Sequence, residues 1–258
     1  PTLANRPFAA PDWLAASGLG LPGAIALGFL LAALARALSL RGAVATPLPA
    51  SALMQTVCTL ASGVYLVCRL SPFFAASPAA QAVLAWTGAT TALFAAVAAA
   101  LQNDVRKLLA WSTLSQFGLI LFSVGAGHVA AALYHLFVHG LAKALLFMAA
   151  GIVVLALGHE SDLRRLGGFG ARLGSTRLCM AVGVLALAGL PPTAGFFSLH
   201  QILAAGFAAD ALPGHQALCV MLLASVFLTA FYAARLLLVC FGTQDTARER
   251  SLQLQPPG

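Results

Sequence analysis

This chain of 258 residues carries very little charge. Asp, Glu, Lys and Arg make up 8% of it, while 60% is hydrophobic; a water-soluble domain carries roughly 25% charged residues. So few charges cannot cover the surface of a soluble domain of this size, and lipid is the solvent that fits. Acidic residues number seven, and all fall in loops or tails of the apolar pattern, so a cation site built on buried carboxylates is not expected from this chain. The five cysteines, Cys58, Cys68, Cys179, Cys219 and Cys240, form no C-x-x-C pair and have no histidines at metal spacing. They read as small buried side chains, with no metal site and no disulfide framework. No phosphate-binding glycine loop or nucleophile elbow occurs either. Gly167-Gly168-Phe169-Gly170 follows no strand pattern and reads as a turn. The sequence does not begin with Met, and a mature or processed product is the expectation.

What the chain has in quantity is apolar length. A span of about 20 residues crosses a hydrocarbon core of about 30 Å. Seven apolar segments fit, over 19–40, 50–70, 80–101, 106–126, 129–157, 177–207 and 216–241. Gly and Ala within them favour close helix approach where lipid supplies no hydrophobic drive. The fold class expected is an all-α polytopic membrane protein. Residues 1–18 form an interfacial lead, 19–79 hold the first helices, 80–241 form a five-helix unit, and 242–258 make a polar tail.

The net charge of +7 points to topology rather than to nucleic acid, because the basic residues sit at the ends of apolar runs. Arg36, Arg41, Arg106, Lys107, Arg164, Arg165, Arg172, Arg177, Arg248 and Arg250 fall on one side of the alternating segments; Arg6 and Arg69 fall on the other. By the positive-inside rule, the loops at 41–49, 102–106 and 158–176 face the inner compartment.

The sixth segment contains Gly189-Leu190-Pro191-Pro192-Thr193-Ala194-Gly195 in mid-span. Adjacent prolines remove two helical donors and clash with the preceding turn, so the helix breaks at Pro191 and Pro192. Broken backbone at membrane depth is tolerated where protein buries it or water reaches it, and transporters use such ends to hold ions. A kink used for packing alone is the plainer alternative.

The fifth segment holds Tyr134-His135-Leu-Phe-Val-His139-Gly-Leu-Ala-Lys143. His135, His139 and Lys143 stand at i, i+4 and i+8, on one helical face in steps of about 6 Å. Each ionisable residue at such depth costs roughly 2.5–3.5 kcal/mol on insertion scales, which marks a functional candidate. The chain has two lysines among 14 basic residues. A desolvated lysine can release a proton where arginine cannot, and histidines exchange protons near neutral pH. The three make a candidate proton relay. Hydrogen bonding of the histidines to nearby carbonyls, with the lysine snorkelling to an interface, is the competing reading. The preceding helix starts at Gln102-Asn103-Asp104-Val105-Arg106-Lys107, with Asn103 or Asp104 as its cap. Ser112, Thr113, Ser115 and Gln116 follow, either bonding between helices or holding waters that connect the relay to the inner side.

Residues 102–118 (Q-N-D-V-R-K-L-L-A-W-S-T-L-S-Q-F-G), 134–148 (Y-H-L-F-V-H-G-L-A-K-A-L-L-F-M), 162–168 (D-L-R-R-L-G-G) and 187–198 (L-A-G-L-P-P-T-A-G-F-F-S) occur in this order. Together they resemble the largest antiporter-like membrane subunit of NADH:ubiquinone oxidoreductase (respiratory complex I), subunit 5 in mitochondrial naming. The likeness extends upstream through Thr46-Pro47, Ser51-Ala52-Leu53 and Ala61-Ser62-Gly63-Val64-Tyr65-Leu66. It implies two inverted five-helix repeats, each with a broken helix and a buried lysine, that pass protons when quinone is reduced. Lys143 is similar to the central lysine of the second repeat, with His135 and His139 as partners. Where the family has a lysine followed by an acid after the break, this chain has Leu199 and His200. His200 is the substitute expected to continue the relay. Gln55 replaces a histidine, and the segment holding Arg36 and Arg41 supplies no first-repeat lysine.

The resemblance further implies no cofactor and no redox chemistry on this chain. It implies membrane-arm partners, among them a separate chain bearing the absent first repeat, and contact with lipids, cardiolipin included. The expected location is the mitochondrial inner membrane. A divided subunit is one expectation and a degenerate copy kept for architecture the other. A multisubunit cation/proton antiporter shares these motifs and is the alternative function, beside a scaffold that no longer pumps.

Overall fold

The computed structural model describes residues 60–69, 71–75, 78–156, 158, 160–165 and 173–242. The expected lead, the first apolar segment, the glycine turn at 167–170, and Gln55, Arg36 and Arg41 lie outside them. The elements are α1 (Leu60–Arg69), α2 (Ser71–Ala75), α3 (Pro78–Leu101), α4 (Val105–Gly125), α5 (Val129–Ala156), a 3-10 turn at Leu163–Arg165, α6 (Gly174–Ala188), α7 (Ala194–Ala208) and α8 (His215–Phe241). By length and composition α3, α4, α5 and α8 are each able to cross a membrane. The apolar segments expected at 80–101, 106–126, 129–157 and 216–241 match them within a few residues.

The sixth segment is broken where the two prolines stand. α6 and α7 have 15 residues each, so each is about 22 Å long and falls short of a core of about 30 Å. Gly189 caps α6 at φ +67°, a conformation that a Cβ would strain. Leu190 N then donates to Leu185 O at 3.0 Å, closing the last turn. A Cβ on Gly195 would run into the carbonyl of Ala186, so the start of α7 lies directly against the end of α6. With α3, α4, α5 and α8, the broken pair makes five crossings.

α4 is the central helix, and two different seams hold it. Toward α3 the seam is steric: a Cβ on Gly88 would meet Phe122 N, and one on Gly118 would meet Ala92 N. The two backbones touch, and Ser115 Oγ adds a hydrogen bond to Ala92 O at 2.9 Å. Small residues permitting such approach are the usual device where lipid leaves helices no hydrophobic reason to associate. Toward α5 and α8 the seam is polar, and it carries the candidate site.

The helix ends around residues 100–105 are tied by hydrogen bonds. Asp104 is the cap: its carboxylate accepts from Arg106 N (2.8 Å) and Lys107 N (3.2 Å), satisfying orphan first-turn donors. Ser161 Oγ donates to the other carboxylate oxygen at 2.9 Å, and Val105 N donates to Ser161 O at 3.1 Å. From α8, the Arg235 guanidinium reaches Ala100 O (2.7 Å), Gln102 O (3.0 Å) and Asn103 Oδ1 (2.8 Å). It thereby satisfies carbonyls at the C-terminal end of α3. At the opposite ends, Trp86 Nε1 donates to Pro213 O at 2.9 Å, fastening α3 to the α7–α8 connection.

Candidate functional site

α5 places His135, His139 and Lys143 on its buried face, each at most 3% exposed. Lys143 stands 14 residues after the start of α5 and 13 before its end, so its backbone is near mid-helix, about 20 Å from either end. Its ammonium does not snorkel. It donates to Leu109 O at 2.9 Å and to Ser112 Oγ. Both partners lie in the first turns of α4, so the side chain leans toward the half of the bundle that holds the start of α4. Among the described residues no acidic side chain is buried; a carbonyl and a hydroxyl hold this ammonium where an ion pair would be expected.

The Leu109 carbonyl gathers the hydroxyls as well. Ser112 Oγ and Thr113 Oγ1 each donate to it at 2.9 Å, leaving Ser112 Oγ free to accept from Lys143. One turn further, Gln116 spans α8 and α5: Nε2 donates to Thr229 Oγ1 (3.3 Å), and Oε1 pairs with His135 Nε2 (2.9 Å). The other ring nitrogen of His135 pairs with Ser198 Oγ on α7 at 3.0 Å. An amide oxygen only accepts, so His135 Nε2 carries hydrogen in this assignment.

The break therefore has a definite consequence: the second half-helix sets a hydroxyl against the outermost histidine. His139 differs from both its neighbours. Neither of its ring nitrogens has a hydrogen-bond partner; its ring is stacked near His135 at 6.1 Å and edge-on to Phe117 at 6.3 Å.

Not every residue picked out in the sequence joins this cluster. Ser115 turns to α3, and Lys107 lies exposed at the inner end of α4. The structure does not bring His200 into the line: it is exposed, with its ring stacked on Phe196 at 6.1 Å. Helical geometry is the reason, because residues two apart point about 200° away from each other. With Ser198 facing His135, His200 faces outward, while Leu199 is 5% exposed and packs with Leu119, Phe122 and Leu222.

Sequence reasoning missed the contribution of α8. Ser225, Thr229 and Tyr232 are all buried, at i, i+4 and i+7 on one face. Tyr232 donates to Thr229 Oγ1 at 3.2 Å, and Thr229 donates to Ser225 O at 2.8 Å. That polar spacing within an apolar run was the available signal.

Five crossings around a buried lysine, with one crossing broken at mid-membrane, define a polytopic helical membrane protein with a polar interior line. The chain belongs to the NADH:quinone oxidoreductase/Mrp antiporter transmembrane family, whose model matches residues 13–233. It is 40% identical over 204 residues to NADH-quinone oxidoreductase subunit L of Campylobacter jejuni, covering 79% of this chain and 34% of that protein. It is 37% identical over 206 residues to NADH-ubiquinone oxidoreductase chain 5 of Marchantia polymorpha, covering 80% and 31%. The chain thus spans about a third of the length of these relatives. Among solved structures, the Mrp complex of a Dietzia species superposes with a TM-score of 0.66 at 30% identity, over 75% of this chain and 22% of that one. An archaeal respiratory membrane complex, the membrane-bound sulfane sulfur reductase, gives 0.59 at 32% identity, over 66% and 28%.

Proposed function

We propose that this chain is a membrane-arm subunit of an NADH:quinone oxidoreductase and takes part in proton translocation, with Lys143 as the group that takes up and releases the proton. The observation that carries this reading is the buried ammonium of Lys143, held by Leu109 O and Ser112 Oγ with no buried carboxylate among the described residues. A lysine so placed can exist charged or neutral, and hydroxyls on α4 offer a path toward the inner side. His135, bonded to α4 and α7, is the next proton acceptor along the same face. Its partners are neighbouring membrane-arm subunits. The relatives come from bacteria as well as from plants and fungi, and the mitochondrial inner membrane is one of the settings they represent.

The test is Lys143→Met in the intact complex. Ser112 Oγ donates to Leu109 O independently of the ammonium, so the variant leaves this hydroxyl partnered. The rate of proton translocation is expected to fall more than tenfold, a barrier change of about 1.4 kcal/mol or more. Unchanged translocation would favour the scaffold reading. The likeness to an Mrp complex supports a second reading, a cation/proton antiporter subunit; sodium-dependent transport without NADH oxidation would select it.

A further inference from the structure

The relay just proposed has two bonded ends and a gap. Lys143 and His135 are two turns apart on α5, and His139 between them makes no hydrogen bond to either. Both are anchored on α4, one turn apart. The fully buried Tyr232 hydroxyl shares Thr229 Oγ1 with Gln116 Nε2. Gln116 holds His135, and Ser112 holds Lys143.

We infer that Tyr232 is a positioning residue of the relay, whose hydroxyl, through the Thr229 Oγ1 it shares with Gln116, fixes the amide that holds His135. The inference rests on Lys143 and His135 being the proton-carrying groups. The chemistry follows from the amide. With Nε2 given to Thr229, Oε1 must face His135 and accept its Nε2 hydrogen. The Nδ1 side of His135 then exchanges hydrogen with Ser198, whose hydroxyl also has Gly195 O at 3.1 Å to donate to. At the other end, Ser112 Oγ accepts from Lys143 and donates to Leu109 O. The titratable side chains facing this cluster are His135 and Lys143, with His139 beside them, all on α5.

Tyr232→Phe in the intact complex removes the hydroxyl and keeps the ring that fills the core. Thr229→Val removes the shared oxygen without touching the ring, so the question stands even where one variant fails to assemble. Each is expected to assemble and to lower proton translocation roughly threefold to tenfold, the range for one hydrogen bond to a positioned group. The pH profile of translocation is expected to move with it. Gln116→Ala is expected to give a similar fall, and the Tyr232→Phe, Gln116→Ala double variant to fall no further than either single one. Wild-type translocation with an unchanged pH profile in Tyr232→Phe and Thr229→Val, while Lys143→Met abolishes it, would overturn the inference and leave the relay standing. Wild-type translocation in Lys143→Met would remove the relay and this inference together.

Discussion

The two seams of α4 use opposite chemistry on one helix. The face toward α3 is chiefly shape: Gly118 lies against the backbone of Ala92, and Gly88 against that of Phe122. The face toward α5 and α8 is marked by hydrogen bonds: Ser112, Thr113 and Gln116 between Lys143, His135 and Thr229. A steric seam tolerates loss of a polar atom but not gain of a methyl group. A polar seam tolerates changes of shape better than loss of a partner, because a buried group left unpaired forfeits its full desolvation cost. The first seam fixes the distance at which the second can work.

Substitutions on the two faces should separate along this line. Gly118→Leu has the largest expected effect, since the added side chain meets backbone rather than a movable side chain. A loss of about 3 kcal/mol or more should appear as failure of the chain to accumulate in the membrane; normal accumulation would mean that α3 and α4 can part. His135→Phe comes next. It strands Gln116 Oε1 and should lower stability in detergent by about 1–3 kcal/mol, whereas His139→Phe, which removes no protein hydrogen bond, should cost less than about 1 kcal/mol. Equal costs would erase the distinction between the two histidines. Ser115→Ala is also expected to be mild, about 1 kcal/mol or less, with proton translocation unchanged, since this hydroxyl bonds across the steric seam.

Much of this arrangement was legible in the sequence. The apolar runs located α3, α4, α5 and α8, the paired prolines located the break, and the four-residue spacing put His135, His139 and Lys143 on one face. Their common cause is strong local physics: hydrophobic length, a missing donor, a fixed helical pitch. The fate of His200 was hidden for a different reason. A broken helix resets the rotation of its second half, so no count carried across Pro191 and Pro192 tells which of Ser198, Leu199 or His200 faces inward. Thr229 and Tyr232 were hidden because hydroxyls in a span carry no charge to mark them, and Thr229 bonds back to its own helix through Ser225 O. Their value lies in what a distant helix places beside them.

The clamp formed by Asp104, Ser161 and Arg235 at the start of α4 has a consequence at a distance. A helix that slips by one residue moves about 1.5 Å along its axis and turns about 100°. Such a slip of α4 would withdraw Ser112 from Lys143 and present Trp111 or Thr113. The polar turn Gln102-Asn103-Asp104 therefore works as an indexing pin, gripped from α8 and from the 160–165 segment. It sets the height and rotation at which the hydroxyls of α4 meet the lysine of α5, so that a turn at the end of the bundle keeps the register of a site buried in its middle.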